Sequence, residues 1–471
     1  MKNESRKKYL LKNTLIFSLG NFGSKFITFF LVPLYTNILT TKEYGTVDLM
    51  SVLTTVLVPI ISLNISESVM RFSIDEENNR QDILNIGIII TIFSIVLSLF
   101  CVPVFNMFSV TSQYSILLSL YIMSFTCSTI FMCYIRGIEK LFDYAVISII
   151  QTIFIALLNI LFLLRFKMGI KGYILAYTIS YFISTILCVF RGNIYFKNNE
   201  FRINQKLLKL MINYSILLIP NALMWWIMNS LDRVMISAMI GIEETGIYAI
   251  SYKIPSILIA VTNVFNQAWM FSAIKEKNSS DRNVYKNKIF YSLETFVITI
   301  ALILLIILKP LLSFYVGKSF YGAWRYVPPL LLGTVLLTLA TFLSNEYTAN
   351  KDSCGFLKSS FIGAIVNLML NFILIDKYRS LGAAIATCLS YFTVFIFRVY
   401  DTKKYILIDY RSKKNILNIM MLIIGTLAVY IDNFLFYLIM IFVFFIFFIN
   451  NLALWKNIFL NFKKILERIK S

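Results

Sequence analysis

From near its start to its end the chain alternates between apolar runs of about twenty residues and short basic connections. A helix rising 1.5 Å per residue needs about twenty residues to cross a hydrocarbon core of ~30 Å. Lipid offers no partner to backbone polar groups, so an apolar run of that length is read as a membrane-spanning helix. The runs fall at 13–38, 46–70, 83–106, 114–135, 142–164, 171–191, 210–238, 246–271, 289–308, 326–349, 357–375, 381–398, 415–431 and 433–451. The expected fold is therefore an all-α polytopic membrane protein with about 14 transmembrane helices. No connection is long enough for a soluble catalytic domain. Function has to lie in a cavity between helices or in the loops.

Charged residues make up 14% of the chain, against roughly 25% in soluble domains. The net charge of +20 would suit nucleic acid, but the lysines and arginines sit in the gaps between apolar runs. They fall predominantly in alternate gaps, the positive-inside pattern, which puts both termini in the cytoplasm and argues against a nucleic-acid partner. There is no histidine, so any proton carriage falls to a carboxylate. The six cysteines lack metal-type spacing and read as small core residues, and no metal site is expected. The first run is too long for a signal-peptide core and is read as a retained helix. Residues 456–471 place Ile458, Phe462, Ile465 and Ile469 among lysines, as in a basic helix lying on the cytoplasmic leaflet or a solvated tail.

The first twelve runs contain an internal echo. Glu43-Tyr44-Gly45 precedes the second run and Glu244-Thr245-Gly246 the eighth. Gly172, Ala176, Ser180, Tyr181 and Phe182 recur at the same spacing as Gly382, Ala386, Ser390, Tyr391 and Phe392. Six is an even number of spans, so the expectation is two parallel six-helix repeats, 1–205 and 206–400, with a substrate site between them. Residues 401–471 add two further transmembrane helices and a basic cytoplasmic tail.

Polar residues line one face in four runs that are equivalent in the two repeats. Thr14, Ser18, Asn21, Lys25 and Thr28 recur every three or four residues in the first. Asp48, Ser51, Thr55, Ser62 and Ser66 follow in the second, Asn221, Asn229, Asp232 and Arg233 in the seventh, and Lys253, Ser256, Asn263 and Gln267 in the eighth. Hydroxyl and amide stripes also glue helices together. Charges weigh more, because Lys25 lies ~18 Å into its span, too deep for easy snorkelling. Lys25, Arg233 and Lys253 are thus candidate cavity cations. Glu67 and Arg71 have the spacing of an i,i+4 pair. Glu294 and Glu346 are candidate coupling carboxylates or ion-pair partners for those cations. Pro33, Pro59, Pro220 and Pro255 are expected to bend the same four helices.

The stretches Gly20-Asn21-Phe22-Gly23-Ser24-Lys25, Leu31-Val32-Pro33-Leu34-Tyr35-Thr36 and Glu43-Tyr44-Gly45 with Asp48-Leu49 resemble the opening of the bacterial polysaccharide flippases of Wzx type. Leu231-Asp232-Arg233 and Gly246-Ile247-Tyr248 with Ser251-Tyr252-Lys253 resemble their second half. These flippases belong to the multidrug/oligosaccharidyl-lipid/polysaccharide exporter (MOP) superfamily. The resemblance implies a non-enzymatic transporter of the bacterial cytoplasmic (inner) membrane. It would move an undecaprenyl-pyrophosphate-linked oligosaccharide to the outer leaflet, for O-antigen (lipopolysaccharide) or capsule assembly. It further implies alternating access, a cationic cavity with Lys25 in a charge role, no cofactor beyond a coupling ion (H+ or Na+), and polymerase and chain-length machinery as partners. Trp225, Trp226 and Tyr252 are candidate sugar-stacking residues. Two rivals are weighed against this. A multidrug exporter of the same superfamily would favour carboxylates in the cavity. A membrane polysaccharide polymerase or ligase would need a long outer loop.

Overall fold

The computed structural model of the chain describes residues 23–75, 79–192, 194, 204–275, 282–408, 413–431, 434–452 and 455–456. No strand occurs among the described residues, and ten helices are long and apolar enough to cross a membrane. The chain divides into two compact units, Met1–Ala249 with Tyr315–Phe320, and Ile250–Phe314 with Tyr321–Ser471.

The first unit begins with α1 (23–38) and α2 (Thr41–Ile61). A capping box separates them: the Glu43 backbone N–H donates to Thr40 Oγ1 at 3.2 Å, and the Thr40 N–H donates back to Glu43 Oε2 at 2.9 Å. The glutamate of the first repeated motif is therefore a cap. The apolar run 46–70 does not form one helix. α2 stops at Ile61, Leu63 and Asn64 take left-handed φ of 51° and 53°, and α3 (Ile65–Ile74) resumes. Pro59 lies just upstream, and its carbonyl accepts from the Asn64 N–H at 2.7 Å.

Next come α4 (Arg80–Phe100), the short α5 (Val102–Asn106), α6 (Ser115–Gly137), α7 (Leu141–Asn159) and α8 (Gly169–Gly192). α9 (Gln205–Ile216), α10 (Ile219–Met239) and α11 (Ile242–Ser251, its last two residues in the second unit) follow. Hydroxyls join these helices: Ser128 and Ser184 pair at 2.6 Å between α6 and α8, and Ser68 Oγ donates to Met211 O at 2.6 Å between α3 and α9. Such bonds hold helices where lipid removes the hydrophobic drive. The segment 315–320 belongs here because Tyr315 Oη donates to Phe29 O, and the Gly317 N–H to Thr36 Oγ1.

The second unit holds α12 (Lys253–Lys275), α13 (Arg282–Tyr315, its last residue in the first unit), α14 (Val327–Asn350), α15 (Ser353–Asp401), α16 (Lys413–Ala428) and α17 (Phe434–Asn450). A straight helix as long as α15 would be about twice a bilayer's thickness. It is instead a hairpin, because Arg379 breaks the helical path with φ 53° and ψ −139°. The arms are the two expected runs 357–375 and 381–398, joined by Ser390 Oγ donating to Gly363 O at 3.0 Å. Gly382 sits at the turn, where a Cβ would collide with the Leu374 carbonyl. α15 is capped by Asp352, whose carboxylate accepts from the Gly355 N–H at 2.9 Å. That bond, helped by Lys404, holds the Asp352 carboxyl down at about 2.

α16 and α17 are fastened by asparagines. Asn450 and Asn451 both donate to Asn418 Oδ1, at 2.9 and 2.8 Å, and Thr295 Oγ1 on α13 donates to Asn451 Oδ1 at 3.0 Å.

The expected spans 210–238 and 246–271 are broken next to Pro220 and Pro255, and each proline lies in the first turn of a new helix, α10 and α12, after an interruption at 217–218 or 252. Proline has no N–H to offer, and the first turn needs none. Pro33 lies in α1 without interrupting it.

Candidate functional site

In the first unit the charged motif residues converge on the meeting of α2, α10 and α11. Arg233 on α10 donates through Nη1 to both oxygens of Asp48 on α2, at 3.4 and 3.3 Å, and through Nη2 to Asn229 O at 2.9 Å. The two charged side chains are only 16% and 11% exposed. So the Arg233 charge is matched within its own unit rather than offered outward. Asp232, adjacent on α10, is buried and accepts from Tyr248 Oη on α11 at 2.7 Å. Trp226 Nε1 donates to Val52 O at 3.0 Å, a bond that fastens α10 to α2.

The two repeated motifs meet here as well. Gly45 of α2 and Gly246 of α11 lie backbone against backbone: a Cβ on Gly45 would strike Ile242 O, and one on Gly246 would strike Thr41 O. Only glycine allows that approach.

Lys25 differs from the other expected cations. Its side chain is exposed on α1, and it forms no ion pair among the described residues. Neighbouring hydroxyls of the polar stripes are satisfied locally. Thr28 donates to Ser24 O and Ser51 to Val47 O, while Ser24 reaches Ser148 O on α7. Those hydroxyls therefore do not require a wet cavity to satisfy them.

Sequence reasoning missed an aromatic wall in this unit. Tyr173, Tyr177 and Tyr181 stand one turn apart on α8; the first two stack at 4.7 Å, and Tyr121 lies 5.9 Å from Tyr181. Tyr35 of α1 meets Tyr173 edge-on at 5.1 Å. The i,i+4,i+8 spacing in the sequence is the signal that would have found it.

The remaining expected residues separate. Asn21 lies outside the described residues, as does the side chain of Gln267. Asn221 and Asn229 both lie on α10, and Asn229 Nδ2 donates to Trp225 O. Glu67 is exposed and does not pair with Arg71. Arg71 Nη1 bonds Asp75 at 2.6 Å instead, because Asp75 caps α3 where the backbone turns out of the helix and swings its carboxylate back. Lys253 and Asn263 lie on α12 in the second unit, Lys253 part-buried and Asn263 exposed. Glu346 does not meet any of the three expected cations. It is paired with Lys286 of α13, both carboxylate oxygens 2.8 Å from Nζ and both side chains almost fully buried. Glu294, also on α13, is 1% exposed and no cation bonds it. Among the described residues no cluster of side chains could hold a metal ion.

This helical arrangement occurs in solved structures of other proteins. It is similar to a lipid II flippase, MurJ, in an inward closed conformation (TM-score 0.70, 16% identity, 94% of this chain and 100% of that one). It is also similar to an inward-facing multidrug resistance MATE family transporter (TM-score 0.64, 11% identity, 82% and 94%) and to a MOP superfamily transporter from Pyrococcus furiosus (0.61, 12%, 83% and 95%). A family model described as polysaccharide biosynthesis protein matches residues 10–271, and the chain belongs to that family. No curated protein matches.

Proposed function

We propose that the protein is a flippase carrying a polyprenyl-pyrophosphate-linked oligosaccharide from the cytoplasmic to the outer leaflet of the bacterial cytoplasmic membrane, for O-antigen or capsule assembly. The observation that carries this reading is Lys25, an exposed cation without an ion-pair partner among the described residues, on an apolar helix of a polysaccharide-biosynthesis chain. A charge in a membrane-spanning helix is costly unless it meets water or an anion, and a diphosphate is such an anion. The tyrosine wall on α8 offers faces on which sugar rings could stack. In this reading fourteen spans in two parallel six-helix repeats, 1–205 and 206–400, plus the pair in 401–471, alternate access with both termini cytoplasmic. H+, Na+ or the membrane potential drives the cycle, and polymerase and chain-length machinery receive the product.

The test is complementation of a deletion strain, following surface polymer and the leaflet of the lipid-linked oligosaccharide. Wild type and Lys25→Arg are expected to restore the polymer. Lys25→Ala, at equal membrane level, is expected to leave intact oligosaccharide in the cytoplasmic leaflet. Full transport by Lys25→Ala would refute the charge role. An unchanged polymer in the deletion strain would refute the flippase reading itself.

A further inference from the structure

The second and seventh expected spans are neighbours in the first unit, and both are broken. α2 gives way to α3 across residues 62–64, and α9 to α10 across 217–218. The two breaks lie at one level. Trp226 Nε1 on α10 donates to Val52 O on α2, and Ser68 Oγ on α3 donates to Met211 O on α9. Between those bonds one chain advances 16 residues, from 52 to 68, and the other falls back 15, from 226 to 211. The spans therefore run antiparallel in step, and position 62 of one stands within about half a turn of position 218 of the other. Pro59 and Pro220, which cannot donate to a helical ladder, stand near that level too.

Each half is clamped to its own neighbours. α2 is held by the ion pair of Asp48 with Arg233 on α10 and by the backbone contact of Gly45 with Gly246 on α11. α3 is held as closely to α6, where a Cβ on Gly137 would strike Ser73 Cβ and Met70 O. Packed contacts of this kind move as blocks and do not deform continuously. Between α2 and α6 stands a hydrogen bond of Ser51 with the Tyr121 hydroxyl, which side chains alone can break and remake.

Strained backbone joins the blocks. Leu63 and Asn64 have left-handed φ of 51° and 53°, and neither is glycine. Proline disturbs the ladder on its N-terminal side, so Pro59 does not impose that conformation on residues four and five positions after it. Such backbone is costly and clusters in switch regions. Returning the two residues to helical φ and ψ would straighten the span.

We propose that residues 62–64 and 217–218 form one hinge, about which α2 and α10 turn together against the body made by α3, α6 and α9. The movement would serve the alternating access proposed above but does not rest on that reading, since it needs no cargo.

The test is double electron–electron resonance on the full chain in lipid nanodiscs, its six cysteines replaced by alanine and nitroxides attached at introduced cysteine pairs. The reporting pair joins Met239, at the end of α10, to Ile116, at the start of α6. The reference pair joins Ile116 to Leu210 on α9, and all three side chains are exposed. Two distances are expected for the reporting pair and one for the reference. Leu63→Gly and Asn64→Gly each ease the left-handed backbone and weaken the helix, and should shift the ratio towards the bent form by about fivefold or more. Leu63→Val and Asn64→Leu, which suit that backbone less, should shift it the other way. Thermal melting checks that each variant is folded, and a static kink would change melting alone. If wild type shows one distance, Leu63→Val and Asn64→Leu decide, and a single distance in them overturns the proposal. A ratio unmoved by all folded variants, or a reference distance that moves with the reporting one, overturns it as well.

Discussion

The buried pair between Lys286 and Glu346 supports a quantitative prediction. Lys286 Nζ sits 2.8 Å from both carboxylate oxygens, and the two side chains are 2% and 1% exposed. Replacing Lys286 with Met keeps the stem and removes the charge, leaving Glu346 buried without a cation. Breaking such a pair from one side costs about 3–5 kcal/mol, whereas replacing both partners with neutral groups of similar volume is close to neutral. At about 2–4 °C per kcal/mol for a unit of this size, Lys286→Met or Glu346→Gln should melt about 6–20 °C lower. The double variant should melt within a few degrees of wild type. The assay is thermal melting of the purified protein in one detergent, with all four members of the cycle side by side. The order is the decisive reading: the double variant must be more stable than either single. Singles that melt like wild type would refute the burial cost, and a double variant worse than both would show that the two residues act separately.

Two further predictions concern the backbone. Gly45→Ala and Gly246→Ala should each destabilise by about 1–3 kcal/mol or more, because the added carbon meets a backbone carbonyl that cannot move aside. Gly87→Ala, whose carbon would meet only side-chain methyls at 3.4 and 3.5 Å, should be tolerated, and comparable melting of all three would refute the contact. The Asp352 cap predicts a pH dependence. Its folded-state value of about 2 lies below the ordinary 3.8, so the cap's contribution is complete above pH ~4 and is lost as pH falls towards 2. The melting difference between wild type and Asp352→Asn should be constant from pH 5 to 8 and shrink below about 4. A difference that grows on acidification would refute the assignment.

Much of the helical layout follows from hydropathy alone, since a run that can neither hydrate nor pair with a neighbouring strand in lipid has to be helical. The ends and interruptions follow less well. Lys286 lies three residues before the expected start of its span, where a charge reads as loop, yet the helix runs through it because Glu346 neutralises it. That pairing joins residues sixty positions apart and is a tertiary fact. Arg233 could be expected to seek a partner on another helix, but spacing within α10 could not name Asp48. Arg71 had carboxylates one turn away on either side, and the capping geometry of α3 decided for Asp75. The tyrosines of α8 were legible as a period-four row. That they stack against Tyr35 of α1 was not.

The asparagine junction of α16 and α17 bears on how the protein is handled. Lipid tails solvate the outer faces of two such apolar helices about as well as another helix does, so the specific part of their attachment is polar. The attachment of this pair therefore depends on the surrounding solvent. A medium that brings water or hydrogen-bonding headgroups to Asn418, Asn450, Asn451 and Thr295 competes directly for their bonds. Solubilisation harsh enough to do so would loosen α16 and α17 from α13 and from each other. A preparation so loosened would still be helical by circular dichroism.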